Sequence, residues 1–202
     1  MLTVIDTGLC NVGSCLTMLR KLGAEPVASD DPAVVAASSR TILPGVGSFD
    51  AGMTALRSRG LDVALHTAVH ERGASVLGIC LGMQLLARRS EEGTSPGLGW
   101  IEADVVRFAP QAQLRIPHMG WNTVQRQAPS PLFEPGDTDS EFYFVHSFHV
   151  VPDDPGLVTA EATHGVSFAA AVGRGRIHGV QFHPEKSHRH GLQLLRRFLS
   201  AT

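Results

Sequence analysis

Three short segments of this chain carry side chains suited to nucleophilic chemistry. The first, GICLGMQ at 78–84, sets Cys80 between Gly78 and Gly82, directly after the apolar run at 74–79. A G-x-C-x-G where a strand turns into a helix can form a nucleophile elbow. The glycines permit the tight turn, a helix start behind the sulfur favours the thiolate, and the Leu81 amide points to where an oxyanion would form. The alternative is a buried cysteine in a core strand. The second segment is HPE at 183–185. Two residues apart on an extended chain, His183 and Glu185 share one face. The carboxylate can then orient an imidazole that serves the thiol as base; taken alone, the tripeptide reads first as a surface turn. The third is PGVGSF at 44–49, whose glycines let the amides of Gly45, Val46 and Gly47 approach a ligand as a second oxyanion donor. Its bland reading is an ordinary Gly/Pro turn.

The elements that must position these residues follow from the hydrophobic pattern. Residues 2–6 and 74–79 are short apolar runs of the kind that form buried strands. Residues 12–22 carry apolar side chains at 12, 15, 16, 19 and 22, a helical spacing stopped by Gly23. Residues 27–28 and 41–43 suggest further strands, the latter broken by Pro44-Gly45. Asp31-Pro32 reads as a helix start, residues 53–71 as helix interrupted near Gly60, and 85–89 as helix. Alternation of this kind argues for a parallel sheet wrapped by helices. After about residue 100 the pattern turns strand-rich: 105–106, 123–124, 142–151, 158–162 and 168–182, with a hairpin turn inside 172–177. A closing helix at 191–199 aligns Leu192, Leu195 and Leu199. Because the chemistry needs both halves, residues 1–202 are expected to form a single domain.

Composition narrows the function classes. The chain has 202 residues, 43% apolar and 18% charged, with a formal charge of −2 and pI near 6.5. That speaks against a nucleic-acid binder. No apolar run approaches the ~20 residues of a membrane span. Three cysteines are too few for a disulfide framework, and the opening MLTVIDTG lacks a basic stretch; a cytoplasmic location is the expectation.

With these segments in view, the sequence resembles the triad (class I) glutamine amidotransferases, which carry Cys in a G-x-C-x-G-x-Q elbow and a late H-P-E. The likeness runs nearly end to end: Asp6-Thr7-Gly8, PGVGSF at 44–49, GICLGMQ at 78–84, RSEE at 89–92, PHMGWN at 117–122, FVHS at 144–147 and GVQFHPEKS at 179–187. GICLGMQ alone is also similar to CTP synthetase. PHMGWN together with HPEKS points, within the family, to the glutaminases of imidazole glycerol phosphate synthases in histidine biosynthesis.

The resemblance implies an α/β fold, a flavodoxin-like three-layer sandwich. It would have a mostly parallel central sheet, helices on both faces and a smaller antiparallel sheet in the second half. It implies a glutaminase domain over 1–202 in which Cys80 attacks glutamine and forms a thioester, His183 shuttles protons and Glu185 orients it. Leu81 with Val46 or Gly47 would form the oxyanion hole. Gly45, Gln84, Glu92, Ser147 and Phe148 would bind the substrate. The partner would be a (βα)8-barrel cyclase subunit that receives the ammonia and faces Asn11, Met119, Trp121 and Lys186. Neither cofactor nor metal is implied. Two departures stand out: many members carry Gly at the position of Cys10, and Tyr at that of Phe148.

The remaining residues have plainer readings. Cys10 and Cys15 lack the C-x2-C pairs of zinc sites and read as helix-packing thiols. Residues 186–190 (KSHRH) read as a solvated loop. His66 and His70 lack the acid of H-E-x-x-H and read as a surface pair. His146 beside Ser147 is not needed as a second dyad. Met119 and Trp121 sit in a Pro/Gly-bounded loop, where Trp121 either meets a partner or packs into the core.

Overall fold

The computed structural model describes residues 1–110, 114–137 and 140–201. The first half alternates as its pattern requires: β1 (Leu2–Ile5), α1 (Gly13–Lys21), β2 (Pro26–Ser29), α2 (Pro32–Ala36), β3 (Arg40–Gly45), α3 (Phe49–Ser58), α4 (Leu61–His66) continuing into a π turn (Thr67–Glu71), β4 (Ser75–Cys80) and α5 (Leu81–Leu85). The second half is strand-rich: β5 (Arg89–Ser90), β6 (Ala103–Arg107), β7 (His118–Arg126), β8 (Ser140–His146), β9 (Phe148–Pro152), β10 (Val158–His164), β11 (Val166–Arg174) and β12 (Ile177–Val180). A 3-10 turn (Pro184–Lys186) and α6 (His188–Ser200) close it.

One sheet runs β2-β1-β3-β4-β12-β11-β10-β7-β8 and a small one β5-β6-β9. The strands from β2 to β12 in that order are parallel; β11, β10, β7 and β8 continue antiparallel. Antiparallel pairing in the second half is thus divided between the large sheet and the β6–β9 pair of the small one. Alternate side chains of β1, β3 and β4 enter opposite cores. Val4, Ile42 and Leu77 join Leu19 of α1 and Phe198 of α6. Ile5, Leu43 and Val76 join Met53 of α3 and Leu65 of α4. Helices therefore cover both faces, which is why these strands read as continuous apolar runs.

Several boundaries differ from expectation. β3 runs through Pro44 and Gly45, paired with Ile79 and Cys80. Pro44 is tolerated because β1 stops pairing at Ile42, so one side of the strand has no ladder to break. α3 starts at Phe49, not residue 53, because Ser48 caps it by accepting from Ala51 N. The apolar residues at 85–87 do not make a helix to Arg89. α5 ends at Leu85, and Arg88 and Arg89 are drawn to Asp104 and Asp153 beside β6. Residues 118–122 are strand, not loop, and 188–190 open α6 instead of forming a solvated loop.

Candidate active site

Cys80 is the last residue of β4 and the hinge into α5, at φ 54° and ψ −109°. A non-glycine residue at such φ stores strain that its surroundings must impose. Here close packing imposes it. A Cβ on Gly82 would lie 1.8 Å from the Leu43 carbonyl oxygen, and one on Gly78 would lie 2.6 Å from that of Gly82. Only glycine lets α5 sit this tightly on β3 and β4, and the turn then presents the thiol at the sheet end. The elbow reading of 78–84 therefore describes the geometry, although the helix behind the sulfur is only one short turn and a half.

His183 follows β12 and is buried. Its Nδ1 lies 2.7 Å from Glu185 Oε1. Glu185 reaches it across the 3-10 turn at Pro184–Lys186, so the two meet by a turn and not along an extended strand. Nε2 is buried and has no hydrogen-bond partner among the described residues. Burial alone pulls the imidazolium down, but the neighbouring Cys80 sulfur and Glu185 carboxylate outweigh it. Together they carry His183 from its ordinary 6.5 up to about 9. A free Nε2 beside a thiol, with the other nitrogen held by a carboxylate, is the arrangement of a nucleophile and its base.

A cavity of about 380 Å³ opens on the sulfur, lined by Val46, Gly47, Cys80, Leu81, Gln84, Glu92, Pro117, Val145, His146, Ser147 and Phe148. Most of the expected binding residues meet there. Gly45 does not line it: its Cα packs on Leu81 and Gly82 and sets the start of α5. Gly47, at φ 97°, gives the adjoining loop a turn that side-chain-bearing residues resist. Glu92 accepts from Phe49 N at 2.8 Å, so its carboxylate caps α3 while facing the cavity. Buried Gln84 donates to the Phe148 carbonyl and to Gln181.

Two residues of the 179–187 segment were not singled out from the sequence. Gln181, fully buried, donates to Cys80 Sγ at 3.7 Å. Ser187 donates to the His183 carbonyl and accepts from Tyr143 N, fixing the turn that carries the histidine. Neither has a periodicity or spacing to mark it; only its place in GVQFHPEKS does. His146 offers nothing to Ser147, since both ring nitrogens are bonded elsewhere. The other thiols are unlike Cys80. Burial pushes Cys10 up to about 11 and Cys15, deeper, well above the usual thiol range. Cys15 packs within α1, while Cys10 precedes that helix.

Met119 and Trp121 are 63% and 47% exposed on the outer face of β7. Trp121 stacks on His188 at 5.3 Å and meets Tyr143 edge-on, and Lys186 Nζ stands 5.8 Å over the Tyr143 ring. These three expected interface positions share a face. Asn11 is exposed at the start of α1, its side chain accepting from Gly13 N. His66 and His70 are exposed, their rings 4.7 Å apart and tilted by 32°. Among the described residues no three His, Cys, Asp or Glu side chains gather as metal ligands, and no helix is long and apolar enough to cross a membrane.

The family described as glutamine amidotransferase class-I matches residues 3–201. Imidazole glycerol phosphate synthase subunit HisH 2 of Pseudomonas aeruginosa is 47% identical over 199 residues, 98% of each chain. The corresponding subunit HisH of Synechococcus elongatus is 46% identical over 98% of this chain and 92% of its own. A crystal structure of a glutamine amidotransferase superposes with a TM-score of 0.74 at 21% identity, covering 98% and 97% of the two chains, which speaks to the fold alone.

Proposed function

The chain belongs to the class-I glutamine amidotransferase family, and on that premise we propose that it is the glutaminase subunit of an imidazole glycerol phosphate synthase. It hydrolyses L-glutamine and hands the ammonia to a cyclase subunit. The observation that carries this is one arrangement. A strained, cavity-facing Cys80 stands beside a buried His183 whose Nδ1 is held by Glu185 and whose Nε2 is free.

With Nδ1–H donated to Glu185, protonated His183 and the Cys80 thiolate form an ion pair. The sulfur attacks the side-chain amide carbon of glutamine, an S–C bond forms, and the carbonyl electrons move onto oxygen. The Leu81 amide and one from Val46 or Gly47 receive that oxyanion. His183 gives its Nε2 proton to the amide nitrogen, the C–N bond breaks and ammonia leaves. Water then attacks the thioester while His183 takes its proton. The tetrahedral intermediate expels the thiolate, and glutamate departs. Gln84 and the Ser147–Phe148 backbone hold the amino-acid head, with Glu92 toward its ammonium. Residues 1–202 act as one glutaminase unit. The cyclase, a (βα)8 barrel, docks on Met119, Trp121, Lys186 and Asn11 and converts the ammonia into imidazole glycerol phosphate and aminoimidazole carboxamide ribotide.

The test is glutamate release by the chain alone, with the cyclase, and with the cyclase and its nucleotide. Activity should be low for the chain alone and rise with each addition, because the Val46–Gly47 loop is exposed and a free glutaminase would waste glutamine. Replacing Cys80 by Ala should remove release by about 10⁴-fold or more. A Cys80→Ala protein that still releases ammonia refutes the mechanism. Equal turnover with and without the partner refutes the coupling.

A further inference from the structure

We propose that Asn122, His118 and His146 form a hydrogen-bond chain of fixed polarity that holds the Phe148 carbonyl, and that His118 and Asn122 are thereby positioning residues for glutamine. The proposal rests on the glutaminase reading above. Both ends of the chain are backbone carbonyls, which only accept. At one end His146 Nδ1 lies 2.8 Å from Phe148 O and must donate to it. A neutral His146 then has only a lone pair at Nε2, which faces His118 Nδ1 at 3.0 Å, so His118 Nδ1 must carry the next proton. At the other end Asn122 Nδ2 donates to Thr163 O at 2.8 Å, which fixes the amide's orientation. Its second proton points at His118 Nε2, 3.2 Å away. Every donor meets an acceptor, and both rings are neutral with the proton on Nδ1.

A second proton on either ring would set two N–H groups against each other. The surroundings agree: His146 is packed by Phe108, Phe144, Phe168 and His118. Burial holds it down at about 3 and holds His118 at about 4. The Phe148 carbonyl also accepts from Gln84, so its two lone pairs join the cavity wall to the amides behind Cys80. Losing the histidine donor would free that wall to shift without touching the triad.

Side-chain nitrogen NMR of the full chain tests the polarity. Both rings should stay neutral and Nδ1-protonated between about pH 5 and 8; an Nε2–H tautomer on His146 overturns the proposal. Kinetics of the chain with its cyclase test the role. His118→Phe keeps the aromatic packing but cannot donate, and should raise KM for glutamine about tenfold with kcat within about twofold. His118→Gln, whose amide donates on one side and accepts on the other, should restore most of the loss. An unchanged KM in His118→Phe overturns the positioning role. Should that variant not fold, Asn122→Asp replaces the donor facing Nε2 by an acceptor and should turn His118 into an imidazolium; a ring that stays neutral overturns the chain. A wild-type pair that releases no glutamate would refute the glutaminase reading instead, with the tautomers still deciding the polarity.

Discussion

The cavity side that carries Cys80 is held by backbone against backbone, whereas the facing side is held by hydrogen bonds among buried polar side chains. On the first side, Gly78 and Gly82 bring β4, α5 and β3 so close that no Cβ fits between them. On the second, His118 and His146 are buried, and each is bonded to a neighbour. The first side therefore tolerates polarity changes but no added volume. The second tolerates similar volume but no missing partner, because an unsatisfied buried polar group costs about 1–3 kcal/mol. A residue held at a strained φ needs a rigid frame; a wall of buried polar side chains needs each donor matched to an acceptor.

The largest effect should come from adding one methyl group to the packed side. Gly82→Ala puts a Cβ on the Leu43 carbonyl oxygen, and β3 or α5 must move, costing about 3 kcal/mol or more. Urea unfolding followed by circular dichroism measures it, and glutamate release should vanish with it. If Gly82→Ala were as stable as the parent, the contrast between the two sides would be broken.

The two sides were not equally legible. The elbow could be read from residues 74–84 alone because a glycine–cysteine–glycine spacing after an apolar run is a local signal. His183 and Glu185 were marked the same way, although the turn that joins them was not. The polar wall is a product of register. His118 meets His146 only because β7 and β8 pair antiparallel with those two residues opposite, and no window of sequence contains both. Pro117 and Gly120 also disguised β7 as a loop, while its alternation of buried His118 with exposed Met119 and Trp121 was there to be read. Gln181 lay inside a recognised motif without a sign of its partner, the thiol 101 residues away.

Glu185→Gln sharpens the comparison next. It keeps the volume of the side chain and removes the charge that holds His183, so the fold should survive while kcat falls about 10³-fold. The rate profile should also shift, since a cause of the raised His183 value has gone. A loss confined to KM would mean that Glu185 belongs to binding.

Proton linkage separates the sides by sign. His183 is raised above its ordinary 6.5 to about 9, so its contribution to stability is complete below about pH 6.5 and is lost as pH rises through 9. His118 and His146 are depressed by burial to about 4 and 3. Their contribution is present above 6.5 and is lost as pH falls toward those values. Stability should therefore peak between these windows. Urea midpoints from acid to alkaline pH check the shape, and in Cys80→Ala the alkaline fall should be shallower while the acid fall is unchanged. Equal changes in both limbs would mean that the thiol does not single out His183.

The smallest effect on the chain itself belongs to the outer face of β7. His118 and Asn122 point toward the pocket wall, while Trp121, one residue before Asn122, lies flat on His188 with nearly half its surface in water. Removing the indole takes nothing from either core, so Trp121→Ala should change the urea midpoint by no more than about 0.5 kcal/mol equivalent. The stack holds the ring ready against a partner at little entropic cost, and a pre-placed exposed aromatic is the usual anchor of a binding surface. Affinity for the cyclase, measured by calorimetry, should fall by about 2 kcal/mol, some thirtyfold. If affinity is untouched while stability drops, the outer face of β7 is part of the fold's own packing, and the division of that strand into a wall face and a docking face is wrong.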